Sequence, residues 1–143
     1  MHVRCLVTGV DASGRSCVLR EREVAFAEIV DGLHVDPIFR TKATPPDPRP
    51  EGRGDLVDLG VQPGQCSFAV WRFEPDTEVG MHHTDSVDFD VVLKGSIDLI
   101  LDDGTHSLAP GDSVVMTGID HAWRAGSGGC VLIAANLGSS RLE

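Results

Sequence analysis

The sequence predicts a single all-β domain, either a sandwich or a barrel. Short runs of β-branched and other apolar residues recur along the chain, and turn-forming residues separate them. No segment carries a long helical period of apolar residues. The length of 143 residues fits one domain, 1–143, and suffices to bury a hydrophobic core.

The chain begins with the signals of an N-terminal group of strands, which we assign to residues 1–42. Residues 3–10 are apolar and β-branched, a DASG turn follows, and residues 16–19 fit the returning arm of a hairpin. Residues 25–30 fit either a strand or a short helix. Residues 35–41 are extended in character, and Pro37 indicates the edge of a sheet.

A segment rich in proline and glycine, residues 43–54, interrupts this pattern. Such a composition continues neither a strand nor a helix, so it predicts an exposed loop that crosses from the N-terminal strands to the main barrel. The barrel is then expected at residues 55–143. Its strand signals lie at residues 67–73, 87–93, 96–101, 106–108, 114–117 and 131–135, with turns at 102–105 and 110–112.

The charge balance excludes some partners. With 12 basic and 22 acidic residues, the net charge is −10, which repels nucleic acid and anionic membrane surfaces. No apolar run approaches the roughly 20 residues of a membrane span, and the N-terminal apolar stretch is too short for a signal peptide. We therefore expect a cytoplasmic protein with small-molecule rather than polymeric ligands.

Several common active-site motifs are missing from the sequence. The four cysteines form no C-x-x-C pair, so they are expected to be free thiols. There is no G-x-S-x-G elbow, phosphate-binding loop or dinucleotide fingerprint. The chain has no tyrosine, which excludes a phenol as acid or base.

Residues 80–88, GMHHTDSVD, concentrate the titratable side chains. His82, Thr84 and Asp88 share one face of an extended segment, and His83 lies on the other. Together with His121, the residues His82 and Asp88 make a two-histidine, one-carboxylate set that suits a catalytic metal with open positions. The alternation also raises an objection, because Asp88 lies opposite the more apolar face. A polar face lining a pocket would resolve it.

The same residues resemble the cupin family. Residues 80–95, GMHHTDSVDFDVVLKG, are similar to the first cupin motif, with Asp88 in place of its glutamate and Gly95 at its end. Either Thr84 or His83 falls at the position of the second histidine, depending on the spacing. Residues 111–123, GDSVVMTGIDHAW, resemble the second motif, with His121 as its histidine. The chain also resembles small single-domain cupins with an HxTDxxD-like first motif.

This resemblance implies a double-stranded β-helix, or jelly-roll barrel, that is often dimeric. It further implies a divalent metal (Zn, Mn, Fe or Ni) at His82, Asp88 and His121. His83 is then an additional ligand or proton carrier, and Asp88 or His83 acts as general base or acid. Thr84 and Trp123 are expected to line the substrate pocket.

Three functions are compatible with such a pocket. The leading one is metal-assisted lyase, isomerase or cyclase chemistry on a small carbonyl or carboxylate compound, in secondary metabolism. The second is an iron-dependent dioxygenase that uses the same three ligands as a facial triad. The third is a non-catalytic cupin that binds a small molecule.

Overall fold

The structure, a computed structural model, describes residues 3–48 and 52–141 of the chain. The predicted loop 43–54 lies partly outside the described residues, as do the two ends of the predicted domain. No helix is present in the described residues, so none is long and apolar enough to cross a membrane. The strands are β1 (Arg4–Val10), β2 (Ser16–Glu23), β3 (Ala27–Val30), β4 (Leu33–Val35), β5 (Asp55–Leu56), β6 (Cys66–Phe73), β7 (Glu78–His83), β8 (Ser86–Leu101), β9 (Gly104–Leu108), β10 (Ser113–Met116) and β11 (His121–Gly138).

Two long strands, β8 and β11, organise one large curled sheet. They pair antiparallel over most of their length, from Ala122 opposite Ile100 to Gly138 opposite Ser86. The strand order is β2-β1-β10-β8-β11-β7-β5, with β6 also on β11 and β9 also on β8. The predicted all-β class with an N-terminal strand extension is confirmed, and the curled sheet has the jelly-roll form that the cupin resemblance implies.

Facing glycines bend the two long strands. Gly95 and Gly129 both have positive φ, at 77° and 74°. A Cβ on Gly95 would lie 2.0 Å from the carbonyl oxygen of Gly129, so only glycine allows this approach. The pairing shifts register here, between Ala125 and Cys130. The sheet therefore curls at this point and acquires a concave inner face and a convex outer face.

The first two N-terminal strands, β1 and β2, belong to the same sheet as the barrel. β1 pairs parallel with β10 and antiparallel with β2. The predicted turn at residues 11–14 is present, with the Gly14 amide donating to the Asp11 carbonyl over 3.0 Å. The segment predicted as strand or helix is strand β3, which pairs only with β4 among the described strands.

The core lies on both faces of the sheet. The larger apolar cluster is internal and includes Leu6, Ile97, Leu99 and Val114. A smaller cluster lies on the outer face, where Ile38 and Phe39 pack near the strand residues Val7, Val87 and Val115. The four cysteines are free, as expected.

Candidate functional site

The concave face of the sheet encloses a cavity of about 440 Å³. Its volume is within the range of small-molecule sites. Most of its wall is apolar, and four buried titratable groups, His82, His121, Asp88 and Asp90, line it. The other lining residues are Val57, Leu59, Trp71, Arg72, Phe73, Glu74, Thr77, Val79, Thr84, Met116, Trp123, Leu132, Ala134 and Asn136.

His82 and His121 lie side by side on paired strands. They are direct cross-strand partners in β7 and β11, and their ring centroids are 4.3 Å apart. The Nδ1 atom of His82 lies 2.8 Å from the Gly80 carbonyl oxygen, and that of His121 lies 2.9 Å from the Ile119 carbonyl oxygen. Because a carbonyl only accepts, both Nδ1 atoms donate, which leaves the Nε2 atom of a neutral ring with its lone pair free.

Burial keeps His121 neutral. Only 2% of the residue is exposed. Desolvation, together with the positive charge that His82 carries when protonated, lowers the pKa of His121 to about 4. The neutral imidazole then presents an acceptor rather than a donor to its surroundings.

Asp88 is held by a polar network. Its carboxylate accepts hydrogen bonds from Ser86 Oγ at 2.6 Å and Thr84 Oγ1 at 3.3 Å, and from the side chain of Asn136. Burial raises the pKa of Asp88, and the bonds from Asn136, Ser86 and Thr84 oppose that rise. The alternation objection is therefore resolved, since the polar face of β8 lines a cavity and the apolar face lies outside.

Asp90 is a cavity residue that the sequence analysis did not single out. It is 6% exposed and lies on the same face of β8 as Asp88. Burial raises the pKa of Asp90 well above its usual value, and the Asp88 charge adds to this. Asp90 therefore favours its neutral acid form. The available signal was its two-residue spacing from Asp88.

The remaining predicted residues divide between the two faces. Thr84 and Trp123 line the cavity. His83 does not, because it follows His82 in an extended strand and faces the other way. Its Nδ1 is buried without a hydrogen bond and lies 3.3 Å from Asp120 Oδ1. The structure therefore separates His83 from the other predicted site residues.

Residues 53–59 form a strap along the cavity, and Asp120 binds the backbone of its first two residues. Its carboxylate accepts the Arg53 amide at 2.7 Å and the Gly54 amide at 3.1 Å. Strand β5 then runs parallel to the end of β7, and the Val57 amide donates to the His83 carbonyl over 2.9 Å. Val57 and Leu59, which follow, line the cavity. This strap was not predicted from the sequence, because β5 is only two residues long.

The two histidines are arranged as metal-binding histidines are, but the third predicted ligand is not grouped with them. An Nδ1–H bonded to a carbonyl, with Nε2 free, is the usual arrangement of a metal-binding histidine, and His82 and His121 both have it. However, within residues 3–48 and 52–141 no three His, Cys, Asp or Glu side chains are grouped so that they could hold a metal ion. Asp88 is engaged by its own network instead. The predicted three-ligand centre is thus not assembled in this structure.

Comparison with known proteins gives two kinds of relative, and no family model matches the chain. Two proteins of Diaporthe leptostromiformis, phomopsin biosynthesis cluster proteins C' and D, are each 43% identical over 63 residues. That segment is 43% of this chain and 33% of each relative, so the match spans about a third of their length.

Among solved structures, a cupin superfamily protein of Desulfitobacterium hafniense is 18% identical, over 54% of this chain and 71% of its own, with a TM-score of 0.47. A sugar phosphate isomerase of the cupin superfamily from Silicibacter pomeroyi is 20% identical, over 51% and 50%, with a TM-score of 0.44. The cupin domain of a transcriptional regulator from Enterobacter cloacae is 19% identical, over 52% and 83%, with a TM-score of 0.45.

Proposed function

We propose that this chain is a small cupin-type enzyme that performs acid–base chemistry on a small carbonyl or carboxylate compound. The observation that carries the proposal is the convergence of His82, His121, Asp88 and Asp90 on one largely apolar cavity. Titratable groups with shifted pKa values in a cleft are typical of catalytic sites. The reaction class is that of a lyase, isomerase or cyclase. The phomopsin cluster relatives support a place in secondary metabolism.

The two carboxyl groups divide the proton transfers between them. Asp88 ionises first because three side chains donate to it, and burial makes its carboxylate a stronger base than usual. Asp90 retains its proton beside that charge. Asp88 would take a proton from the carbon next to a substrate carbonyl, and Asp90 would donate its own to the carbonyl oxygen. The product of this step is the enol. The protonated Asp88 would then deliver its proton to a different carbon while the enol hydroxyl returns its proton to Asp90, which restores both groups.

The histidine pair would orient the substrate. Because Nδ1 of each ring donates to a backbone carbonyl, a neutral imidazole of this pair accepts a hydrogen bond through Nε2 and would bind a hydroxyl or enol group of the ligand. A divalent ion held by His82 and His121 would instead polarise a substrate oxygen as a Lewis acid. Iron at this position would favour the dioxygenase alternative.

Ligand binding tests this proposal before any substrate is known. A panel of small keto acids, dicarboxylates and enol-containing compounds is titrated while backbone amide shifts are followed by NMR. We expect saturable binding that shifts cavity residues, is weakened at least about tenfold by His121→Gln, and is unchanged by His106→Gln. His106 is a suitable control because it pairs with Asp103 outside the cavity. A ligand affinity that is unchanged in His121→Gln would contradict the proposal.

Elemental analysis tests whether the chain binds a metal ion. Protein purified without added metal or a histidine tag is submitted to elemental analysis, together with His82→Ala and His121→Ala. Stoichiometric metal that both variants lose would assign the ion to this pair, and the element found would separate an oxygenase from a lyase or isomerase. Saturable ligand binding without any proton transfer would identify a binding cupin.

A further inference from the structure

The cavity is polar at one end and aromatic at the other. Cross-strand pairs of β6, β8 and β11 arrange one wall of the cavity in successive rows. Asp88 lies in the first row, and Asp90, paired with Ala134, lies in the second. The third row joins Leu132 to Trp71. Since neighbouring rows on one face lie about 7 Å apart, Trp71 lies one such step beyond the row of Asp90.

Three aromatic side chains form the apolar end of the cavity, and they are Trp71, Phe73 and Trp123. The Trp123 ring lies between the two ends, with its centroid 5.8 Å from that of His121 and 6.3 Å from that of Phe73. Trp71 and Phe73 are two residues apart on β6, so they lie on the same face of the sheet. Trp71 lines the cavity and is still 41% exposed. Its indole is therefore available to pack against a ring of a ligand.

The charges that line the cavity favour a neutral ligand. The polar end carries two carboxyl groups, and Asp88 ionises before Asp90. Among the described residues of the cavity wall, Arg72 is the only arginine or lysine, and its Nη2 lies 2.5 Å from Glu74 Oε1. A ligand carboxylate would therefore meet the charge of Asp88 without a free arginine or lysine beside it, and like charges in contact oppose binding.

We propose that the ligand of this cavity is a neutral ketone or enol joined by a short linker to an aromatic ring. The oxygen lies at the end of Asp88 and Asp90, and the ring packs against Trp71, which determines specificity for it. This inference rests on the proposed function and narrows its substrate class to neutral, ring-bearing carbonyl compounds. The cavity of about 440 Å³ has room for the ring, since pockets of this size enclose ligands much larger than a simple aliphatic ketone.

Three matched compounds test the two parts of this proposal. Benzylacetone has the ring and a neutral ketone, butanone lacks the ring, and benzylpyruvate has a carboxylate in place of the methyl group of benzylacetone. Each is titrated into the whole chain at neutral pH and followed by NMR, from the backbone amides and from the indole N–H signals of the two tryptophans, Trp71 and Trp123. We expect benzylacetone to bind at least about tenfold more tightly than either other compound.

Variants assign these preferences to single side chains. Trp71→Leu should weaken benzylacetone binding at least about fivefold and leave butanone binding unchanged. Phe68→Leu is the matched control, because Phe68 lies on the same strand and faces outward with 74% exposure. It should preserve the preference for benzylacetone. Asp88→Asn removes the carboxylate charge, so it should bring the affinities for benzylacetone and benzylpyruvate closer by at least about threefold.

Several outcomes would overturn the inference. Benzylacetone that binds no more tightly than butanone, or equally well to Trp71→Leu, excludes the ring site, and benzylpyruvate that binds more tightly than benzylacetone excludes a neutral ligand. If Trp71→Leu does not fold by circular dichroism, the wild-type protein decides, since benzylacetone must shift the Trp71 indole signal and butanone must not.

His121→Gln separates this inference from the proposed function. Butanone binding that His121→Gln weakens, without any preference for the ring, would refute the ring site alone. A ring preference that depends on Trp71, with no affinity changed in His121→Gln, would support the ring site and refute the proposed function.

Discussion

The protonation states of the cavity side chains follow from the groups that surround each of them. The Ile119 carbonyl fixes the His121 tautomer, and burial removes its proton. Three neutral donors keep Asp88 the more acidic of two adjacent carboxyls. Each of these environments has a measurable consequence for stability.

His121 makes the folded protein sensitive to mild acid. Its folded pKa is about 4, below the 6.5 of a free histidine, so between these values the unfolded chain binds a proton and the folded protein does not. Stability therefore falls as the pH falls from 6.5 to 4, by up to about 3 kcal/mol. Urea unfolding of metal-free protein should show this loss, and His121→Gln should lack it. Parallel pH profiles for the two proteins would contradict a neutral buried His121.

The contribution of Asp90 to folding stability should change with pH in the opposite sense to that of His121. The folded pKa of Asp90 lies above the unfolded value, so its contribution becomes more unfavourable as the pH rises above about 3.8. Asp90→Asn removes this effect while preserving shape. The variant should gain stability relative to the wild type between pH 4 and neutrality, measured by urea unfolding. Asp31→Asn, in the exposed turn between β3 and β4, should show no such gain, and an equal change in both variants would refute the assignment.

At the scale of elements, the sequence predicted several of the short strands, missed β5 and β7, and predicted the two longest strands only in part. Residues 67–73 match β6 closely. The sequence predicts two strands where β8 is continuous, because Gly95 resembles a turn. It predicts only residues 131–135 of β11, because Gly126, Gly128 and Gly129 interrupt the pattern of that strand. These glycines bend strands instead of ending them, and only the pairing of β8 with β11 distinguishes the two possibilities.

The bend in the sheet can be tested at Gly95. Its positive φ and its contact with the Gly129 carbonyl leave no room for a side chain, so Gly95→Ala should destabilise the fold by about 2 kcal/mol or more. Gly128→Ala is the control, since nothing lies within 4 Å of its added Cβ. Thermal unfolding of both variants provides the comparison. Equal melting temperatures would show that the close approach is not required.

The strap is the element that completes the cavity. A Cβ on Gly54 would lie 2.9 Å from the Met81 carbonyl oxygen and 3.0 Å from backbone atoms of His82. Gly54→Ala should therefore lift β5 from β7 and speed amide exchange at Val57, which donates to His83. Gly80→Ala, with open space around it, should not. Unchanged exchange in Gly54→Ala would mean that the strap is held elsewhere.

At the scale of the whole molecule, the two faces of the curled sheet differ in composition and surroundings. The predicted polar residues His82, Asp88 and His121 meet on the concave side, while the alternating apolar residues of β6 and β8 lie outside. Sequence alternation indicated this division but not which face was enclosed. His83 lies on the face opposite His82, as alternation predicts, and its role as ligand or proton carrier was implied by the cupin resemblance instead. The metal set was likewise predicted from residue types, whereas the Asp88 network depends on Asn136, which is distant in sequence.

Proton transfer in this cavity is the central feature of the proposed function, and hydrogen–deuterium exchange measures it directly. Small ketones and keto acids that bind the protein are incubated with it in deuterated water, and loss of the proton next to the carbonyl is followed by NMR. We predict exchange faster than in buffer for at least one compound, reduced by a factor of about 10² to 10⁴ in Asp88→Asn and unaffected by Asp103→Asn. Exchange at the buffer rate for every compound that binds would contradict an acid–base enzyme and leave a binding protein.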